Sequence, residues 1–371
     1  MTVIIFLIVL AVLIFVHELG HFIFARLNGI RVDAFKLGFG PKIFSWKKGE
    51  TEYGLNLIPF GGFVKIHGEN PDADSESGPD SGRSFVNKNR ARQASVLVAG
   101  VLFNFLFAWL LYMIVFIGGV TATTDGFEKY QSNFQNERIM ITQVQSGSPA
   151  EKAGISIGDT IVSVKDGLAI ISSKIPISGP IEDIQKIINE SAGKTITFEY
   201  KHNGELKMTE IIPTTGIVEG KYAIGIAMSQ VGDLQLPFFT AIYEGGHYTL
   251  VMLRDTAVGL YNFVASIFRG NANFSDVSGP IGIAGIVGGA AEMGFRYLLM
   301  ITALISINLG IINLVPFPAL DGGRLLFVGI ESITRRRISS KFANIVNMVG
   351  FILLMALMVF VTFKDVLKLI G

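Results

Sequence analysis

His17 and His21 stand four residues apart with Glu18 beside the first, in the stretch FVHELGHFIFA. On a helix, positions four apart share a face, so the two imidazoles can bind one metal ion. Glu18 lies about 100° round the helix. It is poorly placed as a third ligand but within reach of a water on that metal. Two imidazoles and a carboxylate in this H-E-x-x-H spacing are the parts of metal-assisted hydrolysis: the metal lowers the pKa of a water, and the carboxylate takes its proton. The flanking residues are strongly apolar, and ionisable groups at membrane depth are costly and mark functional sites. The chain has 5 histidines and no cysteine, so no disulfide or thiolate ligand is available and a metal must be held by His, Asp or Glu. His67, His202 and His247 fall in loops or interfacial stretches and read as ordinary polar side chains.

The elements that must position these groups are membrane-embedded. Of 371 residues, 50% are hydrophobic and 16% charged, against about 25% charged in ordinary globular domains. Mean hydropathy is +0.50. A net charge of +1 offers no basic excess for nucleic acid, so no nucleic-acid partner is expected and the lipid bilayer is. A membrane span needs about 20 mainly apolar residues. Four are predicted: residues 1–28 carrying the H-E-x-x-H pattern, 95–120, 297–326 and 343–371. A cleaved signal peptide is the other reading of the first, but it has neither a basic n-region nor a small-x-small site.

Orientation follows the basic residues of the flanks. Arg31, Lys36, Lys42, Lys47, Lys48, Arg83, Lys88, Arg90 and Arg92 lie between spans one and two, and Arg335, Arg336 and Arg337 lie in the 327–342 loop. Both loops are therefore cytoplasmic, and the N-terminus, the 121–296 segment and the C-terminus lie outside.

Between the spans, residues 29–68 mix alternation with glycine breaks and read as a membrane-dipping β-hairpin element. Residues 69–94, beginning ENPDADSESGPDSGRS, read as a flexible cytoplasmic linker. After a linker at 121–137, residues 138–230 read as a compact α+β module, with a hairpin turn at Asn203-Gly204. Residues 231–296 are aromatic and apolar with scattered charges, which suits helices at the membrane interface. The fold class is thus an α-helical polytopic membrane protein with four transmembrane helices, a membrane-associated β-hairpin and an inserted α+β domain.

Catalytic zinc usually has three protein ligands and an open position. Asp321 follows a proline-broken apolar run, INLVPFPALDGGRL, and broken backbone at membrane depth is tolerated where it lines a buried site. With the N-terminus outside, His21 lies about 10 Å from the cytoplasmic end of span one, the side on which Asp321 falls. A loop aspartate in an Asp-Gly-Gly turn is the competing reading of that segment alone.

Taken together, HELGH in span one, GFGP, EYGLNLIPFGGFVKI, GVLFNF in span two, GSPAEKAGISIGDTIVSV, SGPIGIAGI and NLVPFPALDGGRL make the chain resemble the bacterial site-2 proteases of the RseP/RasP type, nearly end to end. The resemblance implies one zinc held by His17, His21 and Asp321, with Glu18 as catalytic base and Asn313 holding substrate backbone or stabilising the oxyanion. A helix–helix hydrogen bond is the competing reading of Asn313. It implies that 138–230 is PDZ-like, and that the 29–68 element pairs with an unwound substrate. The implied activity is regulated intramembrane proteolysis of single-span proteins already shortened outside, such as anti-sigma factors or remnant signal peptides, in the bacterial cytoplasmic membrane. Two features depart from the family. Val101 stands where the span-two motif has proline, and there is one PDZ-like module where some members have two. A PDZ-containing membrane scaffold or receptor with a structural metal is the rival from another class; a zinc or proton transporter is a third reading, with no inverted repeat to support it.

Overall fold

The computed structural model describes residues 1–370 except 71, 72, 167, 168, 173–179, 203, 219 and 272–277. It divides into two compact units, Met1–Val115 with Phe238–Gly371, and Phe116–Pro237.

The first unit opens with α1 (Thr2–Leu27), whose last turn holds Arg26 and whose 26 residues contain the H-E-x-x-H pattern. Next come β1 (Val32–Lys48) and β2 (Thr51–Ile66). They form more than a simple hairpin. Phe35 pairs with both Val64 and Tyr53, and Lys36 with both Phe63 and Gly54, while Phe44 pairs with Leu55 and Trp46 with Tyr53. Each long strand is therefore folded back on itself, giving four segments in the order 42–48, 51–56, 32–37, 62–66. Gly38, Gly40 and Gly61 sit at the bends with φ of 81°, 80° and 112°, a region open to glycine and strained for other residues. Among the described residues, the outer edge of 62–66 pairs with no further strand. Phe39, Ile43, Phe44, Trp46, Leu57 and Ile58 are exposed on this element.

The expected flexible linker is not free chain over its described residues. After a short α2 (Ala73–Ser77), the segment is stitched to the sheet. Arg31 donates to Asp80 at 2.6 Å, Phe85 N–H donates to the His67 carbonyl at 2.8 Å, and Arg83 donates to Glu50 at 2.8 Å. Gln93 is buried with its amide nitrogen beside the Phe85, Val86 and Lys88 carbonyls. An acidic, glycine-containing composition suggests disorder, but its partners are arginines and carbonyls distant in sequence. The next helix, α3 (Arg90–Gly118), is the second apolar helix.

The second unit is α+β. Its strands are β3 (Val120–Thr123), β4 (Phe134–Val144), β5 (Thr160–Asp166), β6 (Ala169–Ser172), β7 (Ile196–His202), β8 (Glu205–Ile211), β9 (Thr214–Val218), β10 (Lys221–Ala223) and β11 (Ile226–Leu234). The main sheet runs β3-β11-β4-β5-β7-β8, with β6 on β5 and a separate β9–β10 pair. Helices α4 (Pro149–Lys152) and α5 (Pro180–Glu190) complete it. Ser148 caps α4, accepting from Glu151 N–H, with Pro149 in the first turn; both favour a helix start. Ile184, Ile187 and Ile188, spaced as one helix face, join Ile139, Ile161 and Phe198 in the core. Full burial of such side chains contributes roughly 1.5–3 kcal/mol each. His202 pairs with Glu205 at the end of β7 and β8; Gly204 has φ 87°, while Asn203 lies outside the described residues. The unit is larger than predicted, because the four-residue β3 pairs with β11 and is too short to carry a sequence pattern.

The chain re-enters the first unit as α6 (Phe238–Phe268), α7 (Pro280–Met293), α8 (Phe295–Leu314), α9 (Asp321–Thr334) and α10 (Ser340–Ile370). Where interfacial helices were expected, α6 is one uninterrupted helix of 31 residues. Among the described residues five helices, α1, α3, α6, α8 and α10, are long and apolar enough to cross a membrane, against the four predicted. The predicted third span splits into α8 and α9, and the first half of the predicted basic loop, residues 327–334, belongs to α9 itself. The protein is a multi-pass membrane protein. The N-terminal half of α1 packs on α7 through Phe6, Val9, Leu13 and Val287, and its other end packs with the sheet through Ala25, Phe35 and Val64.

Candidate metal centre

The site is built where α1, α3 and the start of α9 meet. His17 and His21 are both buried, and Glu18 beside them is half-buried. Val96, Gly100 and Asn104 recur every four residues and so form one face of α3. That face meets the imidazoles in turn. His21 Nδ1 lies 2.8 Å from the Val96 carbonyl, and His17 Nδ1 lies 3.2 Å from the Asn104 carboxamide nitrogen. Gly100 lies between, where an added Cβ would fall 2.3 Å from His21 Nε2 and 2.8 Å from His17 Cε1. Gly20 likewise faces the Ala99 carbonyl, with room for no Cβ. Two glycines therefore allow α3 to press against the histidine face of α1.

With both Nδ1 atoms turned to α3, both Nε2 atoms face Asp321. His17 Nε2 is 3.1 Å and His21 Nε2 3.2 Å from Asp321 Oδ2, and the two Nε2 atoms are 3.2 Å apart. Asp321 is the first residue of α9, after a turn in which Ala319 has φ 74°. The glycines after it are required by packing. A Cβ on Gly322 would lie 2.3 Å from the Leu314 and Val315 carbonyls, and one on Gly323 2.3 Å from the Phe317 carbonyl. The proline-broken turn thus folds under the first turn of α9 and fixes where Asp321 points. A helix N-terminus also favours a carboxylate.

The three ligand atoms lie within 4.8 Å of one another. Ligand atoms around tetrahedral zinc, at about 2.0–2.1 Å each, are about 3.3 Å apart, close to the separations found here. Two imidazoles and one carboxylate also leave the open fourth position of a catalytic site. The residues fit zinc. Beside them is a cavity of about 510 Å³ lined by Glu18, Phe63, Val64, Asn347, Met348 and Phe351 among others. The unpaired strand edge runs along this cavity. A Cβ on Gly62 would lie 3.5 Å from Glu18 Cγ, so the edge passes directly by the glutamate.

The structure thus brings His17, Glu18, His21 and Asp321 together. Asn313 is half-buried in the last turn of α8 and is not among the residues lining that cavity. The other histidines are not part of that group: His202 pairs with buried Asp159 at 2.7 Å, His247 stacks on Tyr243, and His67 is buried just after β2. The sequence assigned no role to Asn104, although the Gly100-x-x-x-Asn104 spacing marks one face of α3.

Comparison with known proteins accords with this geometry. The family model described as peptidase family M50 matches residues 5–357. A candidate zinc metalloprotease of Clostridium perfringens is 36% identical over 362 residues, covering 97% of each chain. One of Clostridium acetobutylicum is 35% identical over 360 residues, covering 96% of this chain and 94% of the relative. The zinc metalloprotease RasP of Oceanobacillus iheyensis is 29% identical over 445 residues, covering 99% of each. A solved PDZ domain, of the SdrC-like protein of Listeria monocytogenes, is 25% identical, covers 24% of this chain and 86% of its own length, and has a TM-score of 0.20. With a matched family spanning both the H-E-x-x-H helix and the Asp321 turn, the chain belongs to peptidase family M50, the site-2 proteases, and is a zinc metalloprotease.

Proposed function

We propose that the chain is an intramembrane endopeptidase that cuts single-span membrane proteins within their membrane segment, with His17, His21 and Asp321 as the zinc ligands and Glu18 as the base. The observation that carries this reading is the convergence of those ligand atoms at the C-terminal half of α1, beside Glu18 and an open strand edge. Zinc held there supplies Lewis acidity toward the scissile carbonyl and a water of lowered pKa. Glu18 takes the proton of the attacking water and returns it to the leaving amine. A peptidase needs an extended substrate, and the 62–66 edge offers unpaired backbone N–H and C=O groups for it. Asn313 is assigned to the substrate backbone or the oxyanion, reached when substrate is bound.

The proposed topology has four crossings, α1, α3, α8 and α10, with both termini outside and the site near the cytoplasmic face of a bacterial cytoplasmic membrane. In it α6 lies at the outer surface. Its first turns pack on the end of α3, where Trp109 donates to the Ile242 carbonyl at 2.8 Å and Tyr112 meets Tyr248 edge-on. Gly279, at the start of α7, donates to Asp365 near the outer end of α10. A full crossing by α6 would leave only the stretch from Gly270 to Gly279, about 30 Å at full extension, to recross the bilayer, and extended backbone there has no partners. The 138–230 module is PDZ-like and admits only substrates already shortened outside, such as anti-sigma factors or remnant signal peptides. The groove between α5 and the β10–β11 segment, about 440 Å³, is the feature that would contact them.

The test compares wild type with Glu18→Gln, each purified in detergent with one zinc, on a panel of single-span substrates with short ectodomains. Cleavage by wild type alone supports the reading. Zinc-loaded wild type that cleaves none of them overturns it in favour of a scaffold with a structural metal.

A further inference from the structure

The two imidazoles are held at Nδ1 by different kinds of partner. His21 Nδ1 faces the Val96 carbonyl at 2.8 Å. A carbonyl only accepts, so His21 carries a proton on Nδ1, which leaves Nε2, the nitrogen facing Asp321 at 3.2 Å, as the one a metal would take. His17 Nδ1 meets a carboxamide instead, that of Asn104. Asn104 is fully buried, its Oδ1 has no hydrogen-bond partner, and its main-chain carbonyl accepts from Ser306 Oγ–H at 2.8 Å. A carboxamide can offer either end to a neighbour by a half-turn about its last torsion. With Nδ2 toward His17, the imidazole proton sits on Nε2 and points at Asp321. With Oδ1 toward His17, the proton sits on Nδ1 and Nε2 keeps its lone pair. One end of the amide lacks a partner in either arrangement, so His17 decides between them.

We propose that Asn104 is the positioning residue for His17, its carboxamide oxygen accepting the Nδ1 proton whenever a metal is held at Nε2. The inference rests on the zinc-site reading above. It makes α3 a matched support: the Val96 carbonyl for His21, the Asn104 side chain for His17, and Gly100 as the gap that lets both rings approach. Partners on the far side of metal-bound histidines fix the tautomer and ring orientation, and their loss typically costs about 10–100-fold in metal affinity or activity. Asn104 therefore acts through His17, without touching substrate.

The test is competition for zinc between a chromogenic chelator and the full-length protein in detergent, for wild type, Asn104→Asp and Asn104→Leu. Asn104→Leu, which fills the space but accepts nothing, should weaken zinc binding about 10–100-fold. Asn104→Asp, which can only accept, should stay within about threefold of wild type or bind more tightly. In a His17→Ala background, Asn104→Leu should change the residual affinity by less than about twofold, since the two residues act as one unit. Equal zinc affinity in wild type and Asn104→Leu overturns the proposal. So does an Asn104→Asp loss as large as that of leucine, which would assign the contact to the donor end, or an undiminished leucine effect without His17, which would make the role structural. If the leucine variant is not recovered folded, Asn104→Met takes its place in the same assay. Wild type that binds no zinc would overturn the zinc-site reading itself, a separate result.

Discussion

Asp321 Oδ2 lies 3.2 Å from His21 Nε2, although the two residues belong to the first and ninth helices of the chain. Neither helix holds the other by itself. Their contact depends on α3 pressing on α1 from one side and on the Val315–Leu320 turn delivering α9 from the other. The strongest consequence concerns the carboxylate. Asp321→Asn keeps the shape but removes the charge, and should lower zinc affinity by more than the about 10–100-fold typical of a supporting partner. Chelator competition and metal content after dialysis measure it, and retained stoichiometric zinc would show that Asp321 is not a ligand.

Gly100 should be intolerant of the smallest side chain. A methyl group there falls 2.3 Å from His21 Nε2, so Gly100→Ala must push α3 away from α1 or turn both rings. Overpacking of this kind costs about 1–3 kcal/mol, and the zinc affinity should fall with it. Gly285, in contrast, has open space around it. Gly285→Ala should leave zinc binding unchanged and serves as the control on the same preparation.

Asp365 supplies a cap from a distance. The α7 helix starts at Gly279, which has no capping side chain of its own, and Asp365 accepts from the N–H groups of Gly279 at 3.2 Å and Gly282 at 2.8 Å. Asp365→Ala should cost about 1–2 kcal/mol and speed amide exchange over residues 279–293, with Asp365→Asn intermediate because one acceptor oxygen remains. Unchanged exchange in the alanine variant would remove the cap.

Glu52 links the β element's stability to pH. Hydrogen bonds from Lys36 foremost, then Lys42 and Ser45, hold its carboxylate down at about 2, from a usual 4.5; Lys36 Nζ is 2.8 Å away. Because the folded value is depressed, the stabilising contribution is complete above the unfolded value and is lost as pH falls through the folded one. The difference in melting temperature between wild type and Glu52→Gln should be constant above about pH 5 and shrink below about 4.5. A difference that does not change between pH 3 and 7 would show the carboxylate to be unlinked to folding.

Local pattern made much of this protein readable in advance. The apolar helices and the shared face of His17 and His21 arise from interactions within a few residues, whose spacing the backbone geometry dictates. Several features were not readable. The acidic 69–84 stretch reads as free chain because Arg31, which holds Asp80, lies 49 residues away. The four-segment sheet was hidden because pairing on both sides of 34–37 leaves no signature in alternation. The continuity of α6 over 31 residues was hidden because charges such as Arg254 and Asp255 interrupt its apolar pattern.

The sequence by itself determined that two imidazoles and a glutamate share one helix in an apolar segment, since a helix fixes the relation of residues four apart. It also placed Asp321 behind a broken apolar run with two glycines following. Only the tertiary structure decided that Asp321 completes the ligand group, that Asn104 and the Val96 carbonyl stand behind the histidines, and that an open strand edge passes Glu18. Those are distances between elements, set by how closely helices pack where Gly20, Gly100, Gly322 and Gly323 remove a Cβ, and that closeness is a property of the assembled contact.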